Sequence, residues 1–151
     1  MLDADAQRII REFPLGIVAT VTPDGEPAAA PKGTFLALGG DAVAYGDIRS
    51  PGTRRNLANA PSAEVVFVDP FRRKGVRVFG PATLIGRQDP SFAELFPMWE
   101  EAWGELSSRI SHLVRIGAER VLHLATPPYD DGVTEDEMIA LYKSRFAELY
   151  P

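Results

Sequence analysis

The chain has 151 residues, of which 45% are hydrophobic and 25% charged, and it contains no cysteine. This is the composition of one globular domain spanning residues 1–151, long enough to bury roughly 70% of the surface that its unfolded chain exposes; the missing thiols exclude thiolate catalysis, cysteine-based zinc sites and iron–sulfur clusters. A formal charge of −5, from 16 Lys and Arg against 21 Asp and Glu, argues against nonspecific attraction to nucleic acid, so no nucleic-acid partner is expected.

In chain order, Asp3 to Phe13 predicts a short amphipathic helix with Ile9, Ile10 and Phe13 on one face, capped by Asp3 or Asp5 and stopped by Pro14. The acidic start Met1-Leu2-Asp3-Ala4-Asp5 lacks the basic-then-apolar layout of a signal peptide. No apolar run has the length of a membrane span, and the expectation is a cytoplasmic protein without a membrane partner. Leu15 to Thr22 is rich in β-branched residues, and the turn Pro23-Asp24-Gly25-Glu26 leads into a second strand around Ala28 to Leu38. Gly39-Gly40-Asp41 turns the chain into a third strand over Ala42 to Gly46. These short connections leave no room for the crossover helices of a parallel sheet.

Ser50-Pro51 predicts a helix start, with the serine as cap and the helix ending near Ala60-Pro61. Strands follow at Ala63 to Asp69 and Val76 to Ile85, joined by the basic turn from Pro70 to Gly75. Asp89-Pro90 opens a helical stretch carrying Phe92, Leu95, Phe96, Trp99, Trp103 and Leu106, which Pro97 should kink or divide. Residues 109–126 fit either a continued helix or β structure, with a strand favoured for Arg120 to Thr126. Thr134 to Tyr150 is the clearest helix, with a Thr134/Glu137 capping box and Met138, Leu141, Tyr142, Phe146 and Leu149 on one face. The fold class is therefore α+β, mainly β, with about six antiparallel strands closed or nearly closed and helices at the ends.

The chain has no nucleophile elbow, P-loop, dinucleotide-binding turn or zinc-protease helix. His112 and His123 are taken as structural or exposed. The run Asp130, Asp131, Glu135, Asp136 and Glu137 is explained by the start of the last helix, so no metal site is expected. Trp99 and Trp103 lie one helical turn apart, which suits core or interface packing better than stacking on a planar group.

The informative segment is Tyr45-Gly-Asp-Ile-Arg-Ser-Pro-Gly-Thr-Arg-Arg-Asn-Leu57. A helix N-terminus offers free amides and a positive dipole end, and here two hydroxyls and up to three guanidinium groups accompany it. That outlines a phosphate site, with Lys32 as a further cation if the meander brings its strand alongside; the bland alternative is a capped surface helix with ordinary basic residues.

Val18 to Pro27, Pro31-Lys-Gly33, Asp47 to Leu57, Val65-Val-Phe-Val-Asp-Pro70 and Val76-Arg-Val-Phe-Gly80, taken in order, resemble the pyridoxamine 5′-phosphate oxidase-like family of FMN-binding split barrels. The resemblance covers about residues 8–86, and Pro127-Pro-Tyr-Asp-Asp131 with its capped helix is similar to one subgroup. It implies a six-stranded antiparallel split β-barrel with peripheral helices, a homodimer binding one FMN per subunit between the two chains. By position, the phosphate would lie against Ser50, Thr53, Arg54 or Arg55 with Lys32 contributing, Tyr45, Gly46 and Asp47 would pass the ribityl chain, and Pro31, Lys32, Gly33 and Thr34 would line the ring edge. Lys74 stands where the family often has a basic residue. Thr53 replaces the lysine many members carry, one extra residue separates Ser50 from Asn56-Leu57, and the arginine- and proline-containing end of the authentic oxidases is absent.

The resemblance thus implies an FMN-dependent oxidoreductase acting on an unassigned small molecule with NADH or NADPH as electron donor, in which the flavin carries the chemistry and no catalytic side chain is required. The alternatives are a flavin- or phospholigand-binding module without turnover, a deazaflavin-dependent reductase, and a structural dimer with an empty groove.

Overall fold

Residues 1–151 are all described in the computed structural model. Helix α1 (Ala4–Glu12) starts where Asp3 accepts from the Ala6 amide at 2.8 Å. Strands β1 (Gly16–Val21), β2 (Pro27–Lys32), β3 (Phe35–Leu38) and β4 (Ala42–Asp47) precede helix α2 (Pro51–Asn59). After it come β5 (Ser62–Asp69), β6 (Lys74–Gly86), α3 (Pro90–Leu95) and α4 (Pro97–Trp103). A 3₁₀ turn over Gly104–Arg109 leads to β7 (His112–Gly117) and β8 (Arg120–Ala125), and a second over Pro127–Asp131 leads to α5 (Glu135–Leu149). Pro97 divides the aromatic stretch into α3 and α4, as its missing N–H requires.

The strands form one curled antiparallel sheet in the order β2-β1-β5-β6-β7-β4-β3, with β8 on β6. Strand β6 runs for 13 residues. Its first half pairs with β8 and its second half with β7, while β5 flanks the first half on the other side. The change of partner falls at Gly80, where a Cβ would stand 1.7 Å from the Gly117 carbonyl oxygen, so only glycine permits the crossing.

There are eight strands, not six. The expected strand from Ala28 to Leu38 breaks at Gly33, and its two parts, β2 and β3, go to opposite edges of the sheet. The ambiguous region contains β7 as well as β8; they follow one another along the same edge of β6, interrupted where the Ala118 amide turns to Asp41 O at 2.7 Å. Nor does the sheet close into a full barrel: no ladder joins its β2 and β3 edges, and Phe35 N bonds to Pro14 O at 3.3 Å beside the opening.

Alternation along β1 and β5 sends Val18, Val65 and Phe67 inward, where they pack with Phe35, Tyr45, Val78, Val114 and Ile116 under α1. A second cluster of Ala44, Phe92, Trp99, Ile110 and Leu113 fills the space between the outside of the sheet and helices α3 and α4. Strand β4 lies between the two and is buried along all its length. Helix α5 has its capping box, with Glu137 N donating to Thr134 Oγ1 at 3.2 Å, but its expected apolar face is largely open: Met138 is buried, whereas Leu141 is 45% and Leu149 68% exposed. No helix is long and apolar enough to cross a membrane.

Candidate functional site

The pleat of β4 places Tyr45 and Asp47 on the inner face of the sheet, toward its end. Tyr45 packs against Phe35 with ring centroids 5.1 Å apart, and Asp47 follows where the strand gives way to the turn into α2. Across that turn Arg54 Nε lies 2.8 Å from Asp47 Oδ2. From the end of β2, Lys32 Nζ donates to the hydroxyl of Ser50, immediately before the helix. The chain therefore gathers Lys32, Tyr45, Asp47, Ser50 and Arg54 from two strands and one helix start.

Ser50 does not cap α2, because its hydroxyl faces Lys32. Pro51 has no N–H, the Arg54 amide bonds to Ser50 O at 3.1 Å, and the amides of Gly52 and Thr53 have no partner in the chain. Two donors at the positive end of a nine-residue helix thus remain free beside a lysine and an arginine. Tyr45 Oη and the Asp47 carboxylate oxygens are buried without hydrogen bonds, as is Arg54 Nε, whose close approach to Asp47 is an ion pair without the alignment of a hydrogen bond. Burial lowers the Lys32 pKa from its ordinary value, and the Asp47 charge offsets part of that shift. Burial raises the Tyr45 pKa, and the Asp47 charge adds to it, so the phenol stays neutral and available as a donor.

Two of the other expected residues belong to the scaffold. The Thr34 hydroxyl donates to Gly46 O and accepts from Gly46 N, each at 2.9 Å, while Trp99 Nε1 donates to Thr34 O at 2.9 Å. A Cβ on Gly46 would stand 2.4 Å from Ile110 Cδ1, so this glycine serves packing against Ile110 and Trp99. Gly33, in contrast, has nothing within 4 Å of where its Cβ would be. It lines an apolar groove of about 460 Å³ with Leu15, just before β1, and with Ile17, Val66 and Val68 on the outer faces of β1 and β5. Thr53 lines a smaller cleft of about 190 Å³ between α2 and β2.

Arg55 points away, exposed and unpaired. Lys74 is not brought to this cluster: its ammonium bonds to Glu135 Oε1 at 2.8 Å and lies 4.4 Å from the Tyr129 ring centroid. Apart from Gly33, the sequence did not single out the Gly52 amide or the groove residues, although outward apolar residues such as Leu15, just before β1, and Ile17 on it are the signal that finds them. No three His, Asp or Glu side chains stand close enough together to hold a metal ion.

The family model for pyridoxamine 5′-phosphate oxidase matches residues 2–126, leaving the last 3₁₀ turn and α5 outside it. A search of curated proteins finds no match. Among solved structures, HupZ of Group A Streptococcus is 24% identical with a TM-score of 0.72, over 83% of this chain and 96% of that one. HutZ, the heme storage protein from Vibrio cholerae, is 19% identical with a TM-score of 0.64, over 80% and 93%. An FMN-binding protein from Syntrophomonas wolfei is 15% identical with a TM-score of 0.64, over 80% and 84%. At these identities the likeness is one of fold.

Proposed function

The chain belongs to the pyridoxamine 5′-phosphate oxidase family, and from that premise we propose that it is an FMN-binding oxidoreductase whose flavin phosphate is held at the start of α2. The observation that carries this reading is the convergence of Lys32, Ser50, Arg54 and two free helix amides around buried polar atoms that have no partners of their own. Buried polar groups without partners are rare in folded chains, and an anion there gives the donors theirs. Asp47 is the one negative charge in the cluster. It engages Arg54 through Nε and leaves both terminal nitrogens of the guanidinium for a ligand, so it orients the arginine rather than cancelling it.

The groove beside Gly33 is apolar, and Gly33 directly follows Lys32 in the chain, so a flavin with its phosphate at α2 would lay its ring there by passing the edge of β2. It is also open to solvent, with Leu15 57%, Ile17 42% and Val68 47% exposed. A second copy of the chain covering these residues completes the site, and the functional unit is a homodimer; such interfaces bury more than about 1,200 Å² in total. When bound, the flavin supplies hydride transfer between NADH or NADPH and a small-molecule acceptor. The chain binds the phosphate, seats the ring against apolar surface and excludes water from it. No side chain is assigned a catalytic role.

The visible absorption spectrum of the purified protein, before and after addition of FMN, tests this reading. Flavin bands that persist through gel filtration support it, and anaerobic bleaching by NADH or NADPH separates an oxidoreductase from a binding module without turnover. The HutZ likeness gives the same spectrum a second outcome. A Soret band on addition of hemin, with no flavin retained, transfers the groove to heme; retention of a deazaflavin in place of FMN, together with oxidation of its reduced form by an acceptor, makes the protein a deazaflavin-dependent reductase.

A further inference from the structure

A second cavity, of about 450 Å³, lies between α1, β3 and α4, and neither Lys32 nor Arg54 lines it. Its walls are apolar, made by Pro14, Phe35, Leu36 and Trp103, with Arg11 and Gln7 of α1 as the polar side chains. A cavity of roughly 150 Å³ already admits benzene, so this one has room for a body of about eight carbons.

The polar groups around it are unequal. Arg8, on the same helix, is held by Asp5 at 3.0 Å and Glu12 at 2.7 Å, and it approaches Asp69 at 3.5 Å. Arg11 has no ion pair and no hydrogen bond, and Glu12 beside it is already taken by Arg8. The same contrast separates the tryptophans: Trp99 Nε1 donates to Thr34 O, whereas Trp103 Nε1 has no partner. Gln7 commits its amide N–H to Leu2 O at 3.0 Å. The lining side chains whose donors make no hydrogen bond at all are therefore a guanidinium and an indole, set against apolar walls. An acceptor with negative charge and an apolar body complements them.

We propose that this cavity binds a small apolar monocarboxylate, its acid group taken by Arg11 and Trp103 Nε1 and its body by Pro14, Phe35 and Leu36. The proposal does not depend on the flavin reading. Pro14 also lines the groove beside Gly33, so the two spaces share one wall residue.

Calorimetric titration of the full-length protein with octanoate and with octanol tests it, with Trp103 fluorescence as a second signal. Saturable binding of one octanoate per chain is expected. Arg11 is exposed, so Arg11→Gln is tolerated by the fold; it should weaken octanoate about 3- to 10-fold and leave octanol unchanged. Ala102→Trp, on the exposed side of α4, narrows the cavity and should weaken both ligands at least about 10-fold. Absence of saturable octanoate binding overturns the proposal. So do equal effects of Arg11→Gln on acid and alcohol, and undiminished binding in a folded Ala102→Trp variant, which would place the ligand elsewhere.

Discussion

Arg54 Nε lies 2.8 Å from Oδ2 of Asp47, a carboxylate with no exposed surface. This contact ties the end of β4 to the first turn of α2 and fixes which of two adjacent arginines faces the site. An arginine one position later on a helix is rotated by about 100°, and Arg55 accordingly points to solvent.

Arg54→Ala should therefore weaken FMN binding by about 10-fold or more, the loss expected for a charge-assisted hydrogen bond. Arg55→Ala should change it by less than about 3-fold. Riboflavin, which has the ring and ribityl chain without the phosphate, should bind both variants nearly as it binds the parent. Quenching of flavin fluorescence measures all of these affinities.

Lys32 gives the site a pH dependence whose sign is determined. Its pKa in the folded chain lies below the ordinary 10.5, first through burial, with Asp47 offsetting part of the shift. Folding therefore disfavours the protonated amine, a cost present at neutral pH and relieved as pH rises through the folded pKa toward 10.5. FMN binding has the opposite requirement, because its phosphate is dianionic above about pH 6 and needs the ammonium. FMN affinity should fall as pH rises through the lowered Lys32 pKa, before a free lysine would titrate. Lys32→Met should bind FMN more weakly at neutral pH and lose this alkaline decline.

The bond pair between Thr34 and Gly46 joins the start of β3 to β4 and holds the scaffold under the site. Thr34→Val keeps the shape and leaves a buried N–H and a buried C=O without their side-chain partner, at a cost of about 2 kcal/mol or more. For a domain of this size that lowers Tm by about 4–8 °C. A thermal unfolding scan checks it.

Local signals in the sequence located nearly every element. Pro14, Pro51 and Pro97 mark helix boundaries, and the Thr134/Glu137 capping box survives in the structure. What failed depended on partners distant in the chain. Ser50 has the residue type of a cap, but Lys32 on another strand claims its hydroxyl. Lys74 belongs to the expected cofactor-binding residues by its place in the family pattern, yet Glu135, far along the chain, holds it at 2.8 Å. The break at Gly33 carried too little turn chemistry to split one expected strand into two, and β7 was hidden because its apolar residues suit a helix as well. Within the cluster, Lys32, Ser50 and Arg54 were legible as cations and hydroxyl of a helix start; the orienting role of Asp47 required coordinates.

Asp69 offers a test of the fold apart from the ligand. Its buried carboxylate closes the turn after β5, accepting from Phe71 N at 3.0 Å, Arg72 N at 2.9 Å and Arg72 Nη1 at 3.0 Å. Burial pushes its pKa up, but the Arg72 amide and guanidinium and the Phe71 amide outweigh it, and the net shift is downward from 3.8. A lowered carboxylate pKa contributes stability above the unfolded value that is lost as pH falls through the folded one. Urea unfolding should show Asp69→Asn less stable at neutral pH by about 1–3 kcal/mol, with the difference from the parent shrinking as pH falls below 3.8.

The central claim, that a phosphate-bearing flavin is anchored between Lys32, Ser50 and Arg54, is tested most directly by titrating the flavin-free protein with FMN and with riboflavin under identical conditions. The account predicts saturable FMN binding, one per chain, at least about 10-fold tighter than riboflavin, because the phosphate alone reaches the two cations and the free amides of α2. Equal affinity for the two flavins, or failure to bind either, contradicts it.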